Sequence, residues 1–282
     1  MSAFSIKITD CFDRLTRSQK TVANYYLENP DEIVFCTLED IAMKIGVSTT
    51  TIIRFARILG YSGYSDMQKN IQTSLLEKVS LPERLTLSSD TVPQDQLLMK
   101  TMQNDISDIT ATMTNISQSD LADAIKEISS ARSVYILGMR SSFSLAHYMT
   151  SRLGQIRPNV RLIQSIGMIY PEELIGCNEQ DICISFLFPR YSKTTANLIL
   201  WLRKRGVRII LFTGQSISAI SNYGDIFLPC SVGSISFKNS FAAPICLINY
   251  ITTAITLLDH SRAVETLQEM EDFLNKGYYL GL

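Results

Sequence analysis

Two sets of polar side chains in this sequence have the types and spacing for binding phosphate groups. The first is a run of hydroxyl and guanidinium groups between residues 48 and 57, and no carboxylate occurs between residues 49 and 59. The second consists of serine, threonine and arginine residues that directly follow apolar runs near residues 140, 190 and 213. Hydroxyl and guanidinium groups donate hydrogen bonds to phosphate oxygens, whereas carboxylates are repelled. Each set therefore needs an element that presents its donors on one side.

The first set belongs to two short helices joined by a tight turn. Thr37 is predicted to cap the first helix, with Asp40 as its capping-box partner. Gly46 ends this helix in the left-handed conformation, and Ser48 caps the second helix. Apolar residues at helical spacing face inward, and the small Ala42 lets the helices approach. This pattern predicts a helix-turn-helix. A helix capped by Ser18 is predicted to precede it and to cover its core.

The outer face of the second helix carries the side chains that we predict to contact DNA. In a major groove, arginine and hydroxyl side chains reach phosphates and base edges. The alternative is an ordinary helical hairpin with two solvated arginines, and the absence of acidic residues argues against it. The hydroxyls of Tyr61 and Tyr64 can touch the DNA backbone, but packing explains them equally well. The predicted DNA-binding residues are Ser48, Thr49, Thr50, Thr51, Arg54, Arg57 and Lys69.

Composition and charge limit the function classes. The chain has 282 residues and a formal net charge of −1, so it can form two domains and is not a general polyanion binder. The N-terminus has no export signal, and the apolar stretch 243–258 is too short to span a bilayer, which predicts a cytoplasmic protein without a membrane partner. Six scattered cysteines and two histidines predict no metal site, and we expect no cofactor.

The chain after residue 119 alternates between amphipathic helices and apolar strands, which predicts a parallel sheet covered by helices on both faces. The predicted fold class is α/β, with an N-terminal all-α helix-turn-helix domain joined to a C-terminal αβα sandwich. The predicted strands are 133–138, 160–163, 182–188, 207–212 and 225–229. The predicted segments are a DNA-binding domain at 1–78, a linker and connecting helix at 79–106, and the αβα domain at 107–282.

A long helix is predicted where the two domains join. Its apolar residues recur at helical spacing but over too short a length to identify a coiled coil. The helix is either a dimerisation or coupling element, or it packs on its own second domain. These apolar residues are Leu97, Leu98, Met102, Ile106, Ile109, Met113 and Ile116.

The second set of polar side chains follows the predicted strands. In such a sheet, ligands bind at the carboxyl ends of strands. Polar segments at 138–142, 189–195 and 213–216 each precede a helix, whose N-terminal N–H groups favour an anion. The same residues also serve as ordinary helix caps, but three such loops at one sheet edge favour a pocket. The candidates in these loops are Arg140, Ser141, Ser142, Arg190, Ser192 and Thr213.

Together, these parts resemble the RpiR family of bacterial transcription regulators, which join an N-terminal helix-turn-helix domain to a C-terminal sugar isomerase (SIS) domain. The segment VSTTTIIRFARILGYSGY is similar to the family pattern S-x-x-T-[IV]-x-R-F-x-[KR]-x-L-G-[YF]-x-G-[YF]. The resemblance covers nearly the whole chain and places Thr51, Arg54 and Arg57 on a recognition helix. It also implies a palindromic operator, homodimers or homotetramers, and a phosphorylated sugar or related metabolite as effector.

The resemblance also implies contacts in the SIS-like domain. The first strand-end loop is similar to the family's first ligand loop, which makes Ser141 and Ser142 the leading phosphate contacts. SIS domains often show S-x-S-G-x-T after the next strand, but here Ser185 is followed by FLFPRYSKT, without the Ser-Gly pair. Either Arg190 and Ser192 replace its contacts, or phosphate binding is altered or lost. The candidates that rest on the resemblance alone are Ser185 and, at the start of the last helix near the same site, Ser240.

Three functions fit these patterns. The leading one is a regulator of carbohydrate-metabolism genes, acting as repressor or activator; the others are a sugar-phosphate isomerase with an accessory helical domain and an adaptor that binds a protein and no DNA. Isomerisation needs a base, for which Glu172 and Glu173 are candidates, with His147 assisting ring opening. The two glutamates are typical first-turn residues of a helix, and His147 is predicted to be a packed histidine. We therefore expect no catalytic residues and no enzyme activity.

Overall fold

The protein is described by a computed structural model covering residues 3–29, 37–76, 81–82, 85, 93–164, 171–214 and 218–276. The chain divides into two compact units, Met1–Leu87 and Ser88–Leu282. The boundaries that we predicted after residues 78 and 106 remain predictions. Position 106 lies within an unbroken helix.

The first unit is all-helical in the part of the chain that the structure describes. Its helices pack around a core that contains Tyr26, Ile52 and Phe55. Ser18 was predicted to cap the second helix, and this is wrong: the Thr16 hydroxyl accepts from the Gln19 N–H, and the Gln19 side chain accepts from the Thr16 N–H. The helices are α1 (Ala3–Cys11), α2 (Arg17–Glu28), α3 (Leu38–Ile45), α4 (Thr49–Ile58) and α5 (Tyr64–Leu76).

The second unit alternates helices and strands, as predicted. Short 3-10 turns occur at Arg140–Ser142, Pro171–Glu173 and Ser218–Tyr223. The helices are α6 (Leu97–Asn115), α7 (Gln118–Ser130), α8 (Phe143–Gly154), α9 (Lys193–Lys204), α10 (Ala242–Leu258) and α11 (His260–Leu274). The strands are β1 (Val134–Gly138), β2 (Val160–Leu162), β3 (Ile182–Leu187), β4 (Arg208–Thr213) and β5 (Ile226–Pro229).

The five strands form one parallel sheet in the order β2-β1-β3-β4-β5, which confirms the predicted fold class. Because side chains alternate along a strand, the two faces bury separate cores. Residues of α7, α8 and α10 pack on the face that carries Ile136 and Ile184. Residues of α9 pack on the face that carries Leu137 and Cys183. The sheet is therefore covered on both sides, and its strand ends are the places where ligands can approach.

Helix α6 turns its apolar stripe outward. Leu98 is 72% exposed and Met113 is 68% exposed. The buried side of α6 is instead polar, with Asp108 and Thr112 facing the second unit's interior. Packing on its own domain, one of the two predicted roles, holds for the C-terminal end of the stripe, where Ile109 is half-buried and Ile116 is buried in the core of the second unit. In the part of the chain that is described, no single helix is long and apolar enough to cross a membrane, and only α10 and α11 taken together, bent by 104°, meet that test.

Candidate DNA-binding and effector-binding sites

The predicted helix-turn-helix is present with the predicted caps. The Thr37 hydroxyl accepts from the Asp40 N–H at 3.2 Å, and Asp40 accepts in return from the Thr37 N–H at 3.3 Å. Gly46 adopts φ 75°, the left-handed conformation that ends α3. The Ser48 hydroxyl accepts from the Thr51 N–H at 3.2 Å and begins α4. These local contacts set the direction in which α4 leaves the turn.

Helix α4 presents its polar residues outward. The buried stripe of Ile52 and Phe55 holds the helix on the core. Arg54 is exposed and has no hydrogen-bond partner among the described residues, while the exposed Arg57 donates through Nε to the Ser62 carbonyl oxygen at 3.4 Å. Two guanidinium groups three residues apart therefore lie on one outer face. Among the remaining candidates, Thr50 is exposed, Thr49 and Thr51 are half-buried, and the Lys69 side chain lies outside the described residues.

Tyr61 has a packing role. Its ring is buried, and its hydroxyl donates to Asn70 Oδ1 at 3.0 Å. Burial disfavours the phenolate and, with the negative charge of Asp66, raises the pKa of Tyr61 to about 12. The predicted contact of this hydroxyl with the DNA backbone is therefore not supported, because the group is already paired inside the unit.

The strand order creates a crevice beside β1. The connection from β1 leads to β2 on one side, while that from β3 leads to β4 on the other. Neighbouring strands whose connections diverge leave an opening at their carboxyl ends, where ligands of α/β proteins bind. The loops that follow β1 and β3 carry most of the residues predicted to bind an effector.

These two loops hold their arginines in an uncommon backbone conformation. Arg140 has φ 56° and Arg190 has φ 62°, both in the left-handed region that favours glycine. A non-glycine residue in this region costs about 1 kcal/mol, and such strain clusters at functional sites. Both arginines are exposed at the ends of adjacent strands.

Gly138 lets the loop after β1 fold back on the strand. A Cβ at this position would lie 2.4 Å from the Ser142 carbonyl oxygen, so only glycine fits. Ser142 is buried beneath the turn, whereas Ser141 is exposed and its carbonyl oxygen accepts from the Ser144 hydroxyl at 2.8 Å. Of the two leading serine candidates, Ser141 is therefore the accessible one.

Three fully buried hydroxyl groups near the ends of β3 and β4 have no hydrogen-bond partner among the described residues: those of Ser185, Thr195 and Thr213. Ser185 is in register with Leu211, two residues before Thr213, so both hydroxyls lie on the same sheet face. Helix α9 covers that face through Ile199, and Thr195 lies one turn earlier on the same stripe. The hydroxyls of Ser185 and Thr213 therefore lie on the sheet face that α9 covers, and that of Thr195 lies in the first turn of α9 itself.

Thr195 was missed as an individual candidate. It belonged to the predicted polar segment, but sequence alone does not distinguish it from its neighbours. Ser192, which we predicted to bind the effector, instead caps α9 by accepting from the Thr195 N–H at 3.3 Å. Ser240 donates to Asp105 Oδ1 at 2.6 Å. Both predicted serines therefore have protein partners, while the deeper hydroxyls have none among the described residues.

The residues considered for isomerase chemistry have different contact partners. His147 was predicted to be packed, which is wrong: it is exposed on α8, with its ring centroid 6.4 Å from that of Phe143. Glu172 is exposed, and Glu173 accepts from the Gln164 N–H at 3.2 Å. These contacts do not pair an acid with a base.

Comparisons with known proteins agree with this architecture. A model of the helix-turn-helix domain of the rpiR family matches residues 4–78, and a SIS domain model matches residues 127–254. An uncharacterised HTH-type transcriptional regulator from Haemophilus influenzae is 25% identical over 227 residues, which cover 79% of this chain and 77% of the relative. The HTH-type transcriptional regulator HexR from Escherichia coli is 20% identical over 285 residues, covering 97% and 94% of the two chains.

Two solved structures share the fold. The sugar isomerase domain of an RpiR transcription factor from Sphaerobacter thermophilus superposes with a TM-score of 0.60 at 21% identity, over 63% of this chain and 99% of that one. The Vibrio vulnificus NanR protein, complexed with ManNAc-6P, gives a TM-score of 0.54 at 17% identity, over 96% and 98% of the chains. The chain therefore belongs to the RpiR family of helix-turn-helix transcriptional regulators, with a SIS domain after its DNA-binding domain.

Proposed function

We propose that this regulator binds a phosphorylated sugar or related metabolite at the carboxyl ends of β1 and β3, and that this effector changes its affinity for operators of carbohydrate-metabolism genes. The observation that carries the proposal is the set of three buried, unpaired hydroxyls of Ser185, Thr195 and Thr213. Buried polar groups are nearly always paired, so these unpaired donors support a ligand that reaches them once the loops at the strand ends rearrange.

A phosphate group fits this crevice chemically. Its oxygens accept several hydrogen bonds at once, and the N-terminus of α9 favours a negative charge. The exposed guanidinium groups of Arg140 and Arg190 add charge-assisted donors at the rim. The NanR structure that shares this fold contains a sugar phosphate, ManNAc-6P, which supports the same class of ligand here.

The effector is tested by a thermal-shift screen of the full-length protein against inorganic phosphate and phosphorylated sugars. A ligand that binds the native state raises the melting temperature by mass action. A hit should also change operator affinity, because an effector that binds two states of the protein unequally shifts their populations. If no phosphorylated compound shifts the melting temperature, the proposed effector class is wrong.

The outer face of α4 is assigned to operator recognition, and substitution of Arg54 tests this assignment. An operator is first selected from a random DNA pool with the wild-type protein. Arg54→Ala should weaken binding to that operator by about 5- to 150-fold, the value of one bidentate base contact. Arg17→Ala, which removes an exposed arginine at the start of α2, is the matched control and should bind normally. Wild-type affinity for Arg54→Ala would show that α4 does not read the operator.

We also propose that the protein acts as a homodimer or homotetramer through the outer face of α6. A palindromic operator requires two copies of the recognition helix. The exposed stripe of Leu98, Met102, Ile106 and Met113 is apolar over the length of the helix. Exposed apolar patches of this kind mark interaction surfaces. A monomeric mass in sedimentation experiments would contradict this part of the proposal.

Isomerase activity is not part of the proposal, because His147 and Glu173 have separate contacts. We expect purified protein to leave sugar phosphates unconverted, and measurable turnover would restore the enzyme alternative. The cytoplasmic location predicted from the sequence follows from operator binding and belongs to the same proposal.

A further inference from the structure

The segment between β5 and α10 returns to the loop that follows β3. The Asn239 side-chain amide donates to the Pro189 carbonyl oxygen at 3.5 Å. The ring centroids of Phe241 and Phe188 lie 5.5 Å apart. Ser240 stands between these two contacts, so it lies beside the loop that carries part of the proposed effector site.

The single O–H donor of Ser240 is already engaged in a hydrogen bond. The hydroxyl donates to Asp105 Oδ1 at 2.6 Å and accepts from the Ala242 N–H at 3.4 Å. A serine has one O–H donor, and a carboxylate has none. While this contact holds, Ser240 and Asp105 together offer only acceptors, so the sequence-based expectation that Ser240 contacts the effector cannot mean a bond donated to phosphate.

Further contacts between α6 and the same segment hold this pair in place. Asn104 Nδ2 donates to the Gly233 carbonyl oxygen at 2.8 Å. The Ser231 hydroxyl donates to Asp108 Oδ1 at 2.7 Å, and the Ser231 N–H donates to Thr112 Oγ1 at 2.8 Å. Asp105 and Ser240 remain half-buried, so they are positioned by their surroundings and still accessible.

We propose that Asp105, with Ser240, determines effector specificity by reading the end of the molecule away from its phosphate. The pair accepts hydrogen bonds from hydroxyl or amino groups and repels a second anionic group. The effector class is therefore a monophosphorylated sugar, polyol or amino sugar, and phosphorylated sugar acids and bisphosphates are rejected. This inference rests on the proposed function, because it assumes that phosphate binds at the ends of β1 and β3.

The test compares pairs of ligands that share the 6-phosphate, one member of each pair being neutral and the other anionic at the opposite end. Binding of glucose 6-phosphate and 6-phosphogluconate, and of fructose 6-phosphate and fructose 1,6-bisphosphate, is measured by titration calorimetry on the full-length protein. The wild type should prefer the first member of a pair by about tenfold or more. Asp105→Asn keeps an acceptor for Ser240 but removes the charge, and should reduce this preference by about tenfold. Asp123→Asn, an exposed acid on α7, should leave the preference unchanged.

A second variant controls for the possibility that Asp105→Asn acts by disturbing the fold. Ser240→Ala removes the shared hydroxyl but keeps the carboxylate, so it should retain the preference for the singly phosphorylated ligand. The assignment would be overturned if wild type and Asp105→Asn showed the same preference for the singly phosphorylated ligand, or if Ser240→Ala lost that preference. Neither outcome would contradict phosphate binding at the strand ends. Binding of inorganic phosphate without binding of any pair would also overturn the assignment. If inorganic phosphate, these four compounds and every phosphorylated compound of the thermal-shift screen fail to bind, the proposed function itself fails.

Discussion

Replacing Thr195 by valine should stabilise the unliganded protein. The side chain is fully buried in the first turn of α9, and its hydroxyl has no hydrogen-bond partner among the described residues. A buried unpaired hydroxyl costs about 1–3 kcal/mol, and valine removes it with little change of shape. Taking the lower value, the free energy of unfolding should rise by about 1 kcal/mol. For a unit of this size, that corresponds to a melting temperature about 2–4 °C higher.

The same change should weaken phosphate binding. A hydrogen bond to a charged group contributes about 1.5–3 kcal/mol, which corresponds to an affinity loss of about 10- to 150-fold. Scanning calorimetry without ligand measures the first effect, and titration with the best phosphorylated ligand from the thermal-shift screen measures the second. A higher stability together with a weaker phosphate affinity would indicate that the hydroxyl serves ligand binding. Replacing a group that serves packing would instead lower the stability of the protein.

Thr112→Val is the matched control. Thr112 is also buried, but its Oγ1 accepts from the Ser231 N–H at 2.8 Å. Valine would leave that N–H unpaired, so this variant should lose about 1–3 kcal/mol of stability. If Thr195→Val is destabilised as much as Thr112→Val, the Thr195 hydroxyl is paired in solution and our reasoning is refuted. If its phosphate affinity equals that of the wild type, Thr195 lies outside the site.

Two other predictions concern the loop after β1 and the acid stability of the second unit. Gly138→Ala should abolish phosphate binding in titration calorimetry, because its Cβ would displace the Ser142 carbonyl. Gly154→Ala, where a Cβ meets nothing within 4 Å, should bind normally and gain up to about 1 kcal/mol; equal binding by both variants would contradict this. Burial opposes ionisation of Asp181, but hydrogen bonds from Arg132 hold the pKa of its carboxyl below the ordinary value. The stability that this group contributes is therefore present above about pH 4 and is lost as the pH falls through the folded pKa. Asp181→Asn should be less stable at pH 7 and show a flatter pH dependence below about pH 4 in urea denaturation; an unchanged slope would show that this carboxylate does not contribute.

Predictions that depend on neighbouring residues agree with the structure. The Thr37–Asp40 capping box and the left-handed Gly46 are confirmed, because each involves contacts within a few residues of the chain. The five strands are confirmed for the same reason, since a continuous apolar run is a local property. The cap at Ser18 failed because Thr16 lies close by and has Gln19 at the spacing that completes a capping box.

Predictions about which side of an element faces inward were weaker. The apolar stripe of α6 has the spacing of a core helix, yet Asp108 and Thr112 are its buried residues. Their partner, Ser231, lies more than a hundred residues further along the chain. His147 was expected to be buried because of its apolar neighbours in sequence, but its own position on α8 faces outward. A periodic pattern identifies a stripe, whereas the partner that covers it comes from the fold.

The sequence by itself determined the helix-turn-helix, the parallel αβα sandwich and the loops at the strand ends, because capping, periodicity and glycine positions act over a few residues. Only the tertiary structure decided which polar groups in those loops are unpaired. In the structure Ser192 caps α9, whereas the Thr195 hydroxyl has no partner among the described residues. The tertiary structure also joins Ser240 to Asp105, 135 residues apart in sequence. Hydrogen-bond pairing across such a separation depends on how the chain folds back, which no local pattern encodes.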